Sequence, residues 1–179
     1  MRPWDDADYL DLWDAIDSSR EHLDAWMPWV DRYRNPDNAL EYCRRSRARW
    51  LLREDLPVAI VERETGRIVG GSGIHRPDWK YRLFEIGYWL REDAVGKGYV
   101  SETVQLLTRL AFDDLDANRV ELRIDTTNVK SLRVAERLGF VLEGTLRRKF
   151  PAPGGEPTDM HVLALLPEEY RRLPWSSEQ

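Results

Sequence analysis

Apolar and polar positions alternate along the chain in ways that divide it into helices and strands. Residues Asp5 to Ser18 read as a helix, with Leu10, Trp13 and Ile16 or Asp17 a turn apart and acids on the other faces. A short second helix is expected over Ser19 to Trp26, closed by Pro28. Asn35-Pro36 has the form of an N-cap followed by proline at the first helical position. The helix it opens should run to about Arg53, with Leu40, Cys43 and Trp50 inward and several arginines outward. Strand patterns then take over. Val58 to Arg63 and Ile68 to Ile74 flank a hairpin turn at Glu64-Thr65-Gly66-Arg67, and Leu83 to Leu90 forms a third strand. Gly87 inside that strand suggests a bulge or a close backbone approach. Val100 to Asp114 is helical, with Val104, Leu107 and Ala111 on one face. A strand at Arg119 to Asp125, a helix at Lys130 to Leu138 ended by Gly139, and a strand at Phe140 to Leu146 follow. A loop at Pro151 to Pro157 leads to a last strand, Met160 to Leu166. Helices, a hairpin, then strand–helix–strand–helix–strand predict an α/β fold with antiparallel and parallel pairs in one mixed sheet.

Composition narrows the class. With 179 residues, no internal repeat and no low-complexity tract, the chain reads as a single domain over 1–179. A 42% hydrophobic content is too high for a disordered chain, and no apolar run reaches membrane-spanning length, so no membrane partner is expected. The start has no apolar stretch of signal-peptide type, which predicts a cytoplasmic protein. Cys43, the one cysteine, permits no internal disulfide and reads as a buried helix residue. His22 and His161 lack partners at metal-ligand spacing, so no metal is expected. The net charge of −5 argues against a dedicated nucleic-acid binder. Its distribution is uneven. Acids from Asp5 to Asp31 face only Arg2 and Arg20, whereas Lys130, Arg133, Arg137, Arg147, Arg148 and Lys149 make the region 128–149 basic. Two solvated faces explain either run; a cation near the first and a polyanion near the second is the functional alternative.

The segment Val95-Gly96-Lys97-Gly98-Tyr99-Val100 lies between a strand and an amphipathic helix. Glycines at a helix start let backbone N–H groups approach a phosphate, and the helix dipole favours the negative charge. A tight turn into the helix is the competing explanation. The spacing is neither that of a Walker loop nor that of a dinucleotide fingerprint. Asn128 and Ser131 open the next helix, where short polar side chains commonly serve as caps.

In order along the chain, Glu85-Ile86-Gly87-Tyr88-Trp89-Leu90, the glycine segment, Asn118-Arg119-Val120, Thr127-Asn128-Val129-Lys130-Ser131 and Leu138-Gly139-Phe140 resemble the GNAT acetyltransferase superfamily. Ser19-Arg20-Glu21-His22-Leu23 followed by Trp26-Met27-Pro28-Trp29 narrows the resemblance to its RimJ/RimL type, which acetylates N-termini of ribosomal proteins. The resemblance implies a GNAT fold: a mixed, mostly antiparallel sheet with a splayed parallel strand pair and flanking helices. It implies acetyl-CoA as cosubstrate, its pyrophosphate on the amides of Val95, Gly96, Lys97, Gly98, Tyr99 and Val100. Val95 and Val100 depart from the superfamily pattern, which has Gln or Arg and Gly or Ala there. Backbone groups of Tyr88, Trp89 and Leu90 would meet the pantetheine arm, and Asn128 would contact the cofactor. Many superfamily members carry a tyrosine seven residues after that asparagine. Here the slot is Ala135, and Ser131 is expected to stabilise the leaving thiolate. Glu85 is the candidate base, acting through a water, although a strand Glu facing an arginine fits the residue equally; His75 is a weaker candidate.

The acceptor side implied by the resemblance contains Trp26, Trp29, Trp79 and Tyr81. The expected acceptor is a primary amine, foremost a protein N-terminus. An α-amine of pKa about 8 is roughly 10% neutral at pH 7, whereas a lysine is well under 0.1% neutral. Small amines such as aminoacyl-nucleotide or aminoglycoside antibiotics are the alternative acceptors. A non-catalytic acyl-CoA sensor is a rival from another class, and a nucleic-acid binder using Arg44, Arg45, Arg47 and Arg49 is a third. Relatives of this type are often dimers, which makes a homodimer an expectation.

Overall fold

The computed structural model describes residues 1–151 and 156–176. Seven strands form one sheet: β1 (Arg2–Pro3), β2 (Leu56–Val61), β3 (Ile68–Asp78), β4 (Leu83–Leu90), β5 (Arg119–Asp125), β6 (Val141–Pro151) and β7 (Pro157–Leu165), in the order β1-β2-β3-β4-β5-β7-β6. β4 and β5 are parallel, with Leu83 on Arg119, Phe84 on Val120 and Glu85 on Glu121; β1/β2, β5/β7 and β6/β7 are antiparallel. The helices are α1 (Tyr9–Asp17), α2 (Arg20–Asp24), α3 (Pro36–Leu52), α4 (Tyr99–Arg109), α5 (Val129–Arg137) and α6 (Pro167–Tyr170). This is the mixed α/β architecture expected from the strand and helix patterns. Among the described residues no helix is long and apolar enough to cross a membrane.

Contacts group the chain into two units, Met1–Gly73 with Tyr88–Val100, and Ile74–Gly87 with Ser101–Gln179. In the first, Trp4, Leu12, Ile16, Val30, Cys43 and Ile68 are buried together. The expected Leu10 is exposed, whereas the expected Ile16 is buried together with Leu12 and Ala15. The cause is local: a capping box between Asp5 and Asp8 winds Asp6–Asp8 as a 3-10 turn, which advances the phase before α1 begins. Helix α3 starts as its sequence predicts. The Asn38 amide donates to Asn35 Oδ1 at 3.2 Å, the Asn35 amide donates back to Asn38 Oδ1 at 3.3 Å, and Pro36 follows the cap. Its buried stripe is Ala39, Cys43 and Ser46; the expected Leu40 and Trp50 are only half-buried.

In the second unit, β5 alternates cleanly. Val120, Leu122 and Ile124 are buried, while Arg119, Glu121 and Arg123 point to the opposite face. Helix α4 buries Val104 and Leu107, and the chain continues as a π-turn over Leu110–Asp114 with Ala111 buried. Tyr170 of α6, an element without a clear periodic signal, stacks on Phe112 at 4.7 Å and donates to Asp113. Two strands outrun their expected ends. β3 continues through His75, Arg76, Pro77 and Asp78, a polar run whose proline argues against strand in the sequence. β6 continues to Pro151, paired with Pro157; residues 152–155 of the expected 151–157 loop lie outside the described residues.

Candidate active site

In the first unit, a 3-10 turn at Glu92–Ala94 and the residues Val95 to Gly98 join β4 to α4. Gly96 and Gly98 have φ of 83° and 89°, a region that costs most other residues strain, and a Cβ at either would meet nothing within 4 Å. The loop is therefore an open run of backbone immediately before the N-terminus of an 11-residue helix. Val95 and Val100, the two departures from the superfamily pattern, pack on a small core of Ile60, Val69, Leu90 and Ala94. They anchor the loop; the Val95 amide, expected to meet the pyrophosphate, instead donates to the Glu92 carbonyl at 3.2 Å. Lys97 is exposed.

Three fastenings hold this loop. The Tyr99 hydroxyl donates to the Glu62 carboxylate, which also accepts from Thr65 at 2.6 Å. These two hydrogen bonds, Thr65's first, hold the Glu62 carboxyl below the usual carboxylate range. Arg67 donates to Asp93 at 2.8 Å. Arg91 is buried; its Nη1 donates to Asp14 at 2.6 Å and its Nη2 to Ser18 at 3.0 Å. Glu62 and Arg91 are missing from the sequence reading. Their partners lie far away in the chain, so no local pattern could have identified them.

Trp89 joins an aromatic group through Trp29. Trp29 meets it edge-on at 5.7 Å and meets Tyr33 at 5.5 Å. Trp29, expected on the acceptor side, is thus seated in packing, whereas Trp26 is half-buried and outside this cluster. Burial pushes the Cys43 thiol up to about 12, which makes it a poor nucleophile at neutral pH.

In the second unit, Asn128 caps α5: its side-chain oxygen accepts from the Ser131 amide at 3.1 Å. The Ser131 hydroxyl is left without a hydrogen-bond partner among the described residues. Arg137 of the same helix donates to Ser101 at 2.7 Å. A Cβ on Gly87 would stand 3.1 Å from the His75 ring, so that ring lies against the β4 backbone at the glycine. Trp79 packs edge-on to Phe84 at 5.3 Å, and Tyr81 is exposed with the Lys80 ammonium 5.0 Å above its ring.

Glu85 faces arginines, the alternative its residue type left open. Oε1 accepts from Arg76, and Oε2 lies 3.3 Å from Arg123 Nε. The pairs continue as a ladder. Arg123 donates to Glu121 at 2.8 Å, Glu121 accepts from Arg119 at 3.0 Å, and Arg119 donates to Glu143 at 2.7 Å. Arg119's hydrogen bond holds the Glu143 carboxyl below its usual range. Among the described residues there is no group of three or more His, Cys, Asp or Glu that could hold a metal; His161 is bonded to Thr145.

A profile of the acetyltransferase (GNAT) domain matches residues 1–141. The chain belongs to this family. Among curated relatives, the GNAT chain is 34% identical to the uncharacterized N-acetyltransferase p20 of Bacillus licheniformis over 112 residues, covering 63% of this chain and 62% of that one. It is 32% identical to the ribosomal-protein-serine acetyltransferase of Escherichia coli strain K12 over 81 residues, 45% of either chain. The match therefore spans less than two thirds of either relative. Among solved structures, Mycobacterium smegmatis RimJ in complex with CoA-disulfide superposes with a TM-score of 0.87 at 25% identity, covering 99% of this chain and 84% of that one. The microcin C7 self-immunity acetyltransferase MccE, solved with acetyl-CoA and AMP, shares the fold at TM-score 0.85 and 21% identity, over 92% of this chain and 89% of that one.

Proposed function

We propose that this GNAT protein is an acetyl-CoA-dependent N-acetyltransferase whose acceptor is a primary amine, foremost a protein N-terminal α-amine. The observation that carries the reading is the open glycine loop before α4, with Gly96 and Gly98 in left-handed backbone and both flanking valines anchored in the core. The amides of Gly96, Lys97 and Gly98 and the helix dipole suit a diphosphate, with Lys97 adding a charge-assisted contact. RimJ and MccE, the solved neighbours above, hold CoA or acetyl-CoA. When bound, the cosubstrate supplies a thioester whose leaving thiol has a pKa of about 8.5.

The chain's own residues then have separate tasks. Backbone groups of Tyr88, Trp89 and Leu90 pair with the pantetheine arm, and Asn128 contacts the cofactor while capping α5. The Ser131 hydroxyl donates a hydrogen bond to the sulfur as the C–S bond breaks and the C–N bond forms; the amine proton leaves through a water beside Glu85. Because Glu85 is already engaged by Arg76 and Arg123, the amine must arrive largely neutral. That condition favours α-amines over lysines. Trp26, Trp79 and Tyr81 are the proposed acceptor contacts, while Trp29 is committed to packing on Trp89 and Tyr33. The name of the Escherichia coli relative, a ribosomal-protein-serine acetyltransferase, supports a protein acceptor.

Calorimetry with acetyl-CoA, followed by thiol release on a panel of N-terminal peptides and small amines, tests the proposal. Micromolar cofactor binding and turnover with α-amines are expected. No binding up to millimolar acetyl-CoA overturns it.

A further inference from the structure

The β6–β7 ladder of the second unit shifts register twice, between Leu142 and Gly144 and, by more residues, between Leu146 and Phe150. Leu146 pairs with Met160 and Phe150 with Thr158, so Arg147, Arg148 and Lys149 all bulge out opposite Asp159. The bulge is built. Arg148 has φ of 50°, a left-handed conformation that a non-glycine residue keeps only where its surroundings hold it. The Arg148 amide is held by Asp159, donating to Oδ1 at 2.8 Å. Arg147, Arg148, Lys149, Asp159 and Leu146 line an open cleft of about 710 Å³.

Three consecutive exposed cations are unusual in a chain of net charge −5. Arg119, Arg123 and Arg91 all sit on carboxylates, yet none of the three bulge side chains has an ion-pair partner among the described residues. Their place in the fold gives them a use. The Asp159 carbonyl accepts from the Thr126 amide at 3.0 Å, and Thr126 lies two residues before the Asn128 cap of α5. The bulge is therefore two inter-strand spacings, about 10 Å, from the start of the segment that carries Ser131.

We propose that the Arg147–Lys149 bulge is an acceptor subsite for an anionic group, a carboxylate or a phosphate, carried on the same molecule as the amine that is acetylated. The inference rests on the reading of Ser131 as the residue beside the thiol. Two guanidinium forks and an ammonium match both oxyanions, while the Asp159 carboxylate is turned to the bulge's own backbone. The preferred acceptors are then N-termini followed closely by Asp or Glu, or amines linked to a phosphate.

The test measures binding apart from turnover. Protein saturated with CoA is titrated with two C-terminally labelled peptides, Ser-Asp-Glu-Glu and Ser-Asn-Gln-Gln, and with an aminoacyl-nucleotide phosphoramidate against its uncharged analogue. The anionic probe of at least one pair should bind tenfold or more tighter at low salt, with the gap closing in high salt; which pair shows the gap identifies the source of the anion. The triple variant Arg147→Gln, Arg148→Gln, Lys149→Gln should bring the ratio to about one. Asp159→Ala separates geometry from bulk charge: removing an acid would strengthen anion binding if charge alone mattered, whereas loss of the oxygen that accepts from the Arg148 amide should weaken it. Equal binding of charged and neutral probes, or a gap that survives the triple variant, overturns the subsite. A gap without any acetylation would keep the subsite and count against the transferase reading; acetylation without a gap would do the reverse.

Discussion

A methyl group at Gly70 of β3 is a severe test of how β3 and β4 meet. The added Cβ would lie 2.2 Å from the Trp89 carbonyl oxygen, 2.7 Å from Leu90 Cδ2 and 3.1 Å from Leu90 Cα. Relief to ordinary contact needs roughly 1.2 Å of movement, and the nearest obstacle is backbone. That backbone is tied down nearby, since the Arg91 amide donates to the Val69 carbonyl at 2.9 Å. Overpacking of this kind costs about 1–3 kcal/mol, and a stretched backbone hydrogen bond adds about 1 kcal/mol. Gly70→Ala should therefore lose about 3 kcal/mol, which lowers the melting temperature by roughly 6–12 °C in a domain of this size. Gly71→Ala is the matched control. Its Cβ would meet Trp89 Nε1 at 2.5 Å and Trp4 Cζ2 at 3.2 Å, both side-chain atoms. The indole of Trp89 can turn where a carbonyl cannot, so a loss of about 1–2 kcal/mol is expected. Thermal melts by circular dichroism compare the two, and acetyl-CoA titration well below both midpoints reads the cofactor side. A Gly70→Ala protein melting within 2 °C of the parent, or one more stable than Gly71→Ala, would refute the reasoning.

Three further outcomes are expected. Ser131→Ala should lower turnover by about ten- to hundredfold, as loss of a donor to a developing anion does, while acetyl-CoA affinity measured by calorimetry stays within about threefold; equal loss in both would assign the serine to capping. Tyr99→Phe removes the hydroxyl that fastens α4 to Glu62; a charge-assisted bond is worth about 1.5–3 kcal/mol, so cofactor affinity should weaken several-fold with a lower melting temperature, and unchanged values in both would dismiss the fastening. For Asp8, burial opposes the charge, but hydrogen bonds from Arg2 and the Asp5 amide outweigh it and hold the carboxyl below its usual range. Stability from such a group is complete above the unfolded value, about 3.9, and is lost as pH falls through the folded one. Asp125 and Glu143 are shifted in the same sense. Melting temperatures should therefore vary little from Asp8 between pH 7 and 5 and fall below about 4, and Asp8→Asn should flatten that acid limb; an unaltered limb would count against it.

Much of the fold was legible because period and punctuation agreed. The Asn35-Pro36 start, the Glu64–Arg67 hairpin and the alternation of β5 are local features, and the structure has them where the residues predict. The errors occurred where tertiary geometry overrode local pattern. Leu10 is the exception with a local cause: the reciprocal bonds of the Asp5–Asp8 box precede α1, and Leu10 faces solvent. β3 runs past Ile74 through a polar segment containing Pro77, which no strand propensity would support. For the candidate site, the glycine loop and the Asn128 cap were readable because glycine and asparagine are needed there for backbone reasons. The fastenings were not: Arg91 reaches Asp14 and Tyr99 reaches Glu62 across long stretches of chain. Of the pair Trp26 and Trp29 that the resemblance puts on the acceptor side, Trp29 packs on Trp89, a partner far along the chain that no local pattern reveals.

Pairing, rather than net charge, separates the structural charges from those with work to do. The acidic N-terminal stretch first suggested a site for a cation, but five of its nine acids, Asp5, Asp6, Asp8, Asp14 and Asp17, are paired with arginines within the first unit. Asp5 faces Arg47, Asp6 faces Arg44, Asp8 faces Arg2 and Asp14 faces Arg91. The same contacts occupy the arginines of α3 that could otherwise recommend a nucleic-acid surface, with Arg45 on Glu41 and Arg49 near Asp55. Exposed pairs of this kind contribute little stability each, but they cancel the field that either stretch would project alone. In the second unit the ladder from Arg76 through Glu85 to Glu143 cancels in the same way. The Arg147–Lys149 bulge does not cancel, and its backbone is held in an unfavourable conformation to keep the three cations together. An unneutralised cluster on a built bulge is the arrangement expected where the missing counter-charge belongs to the ligand.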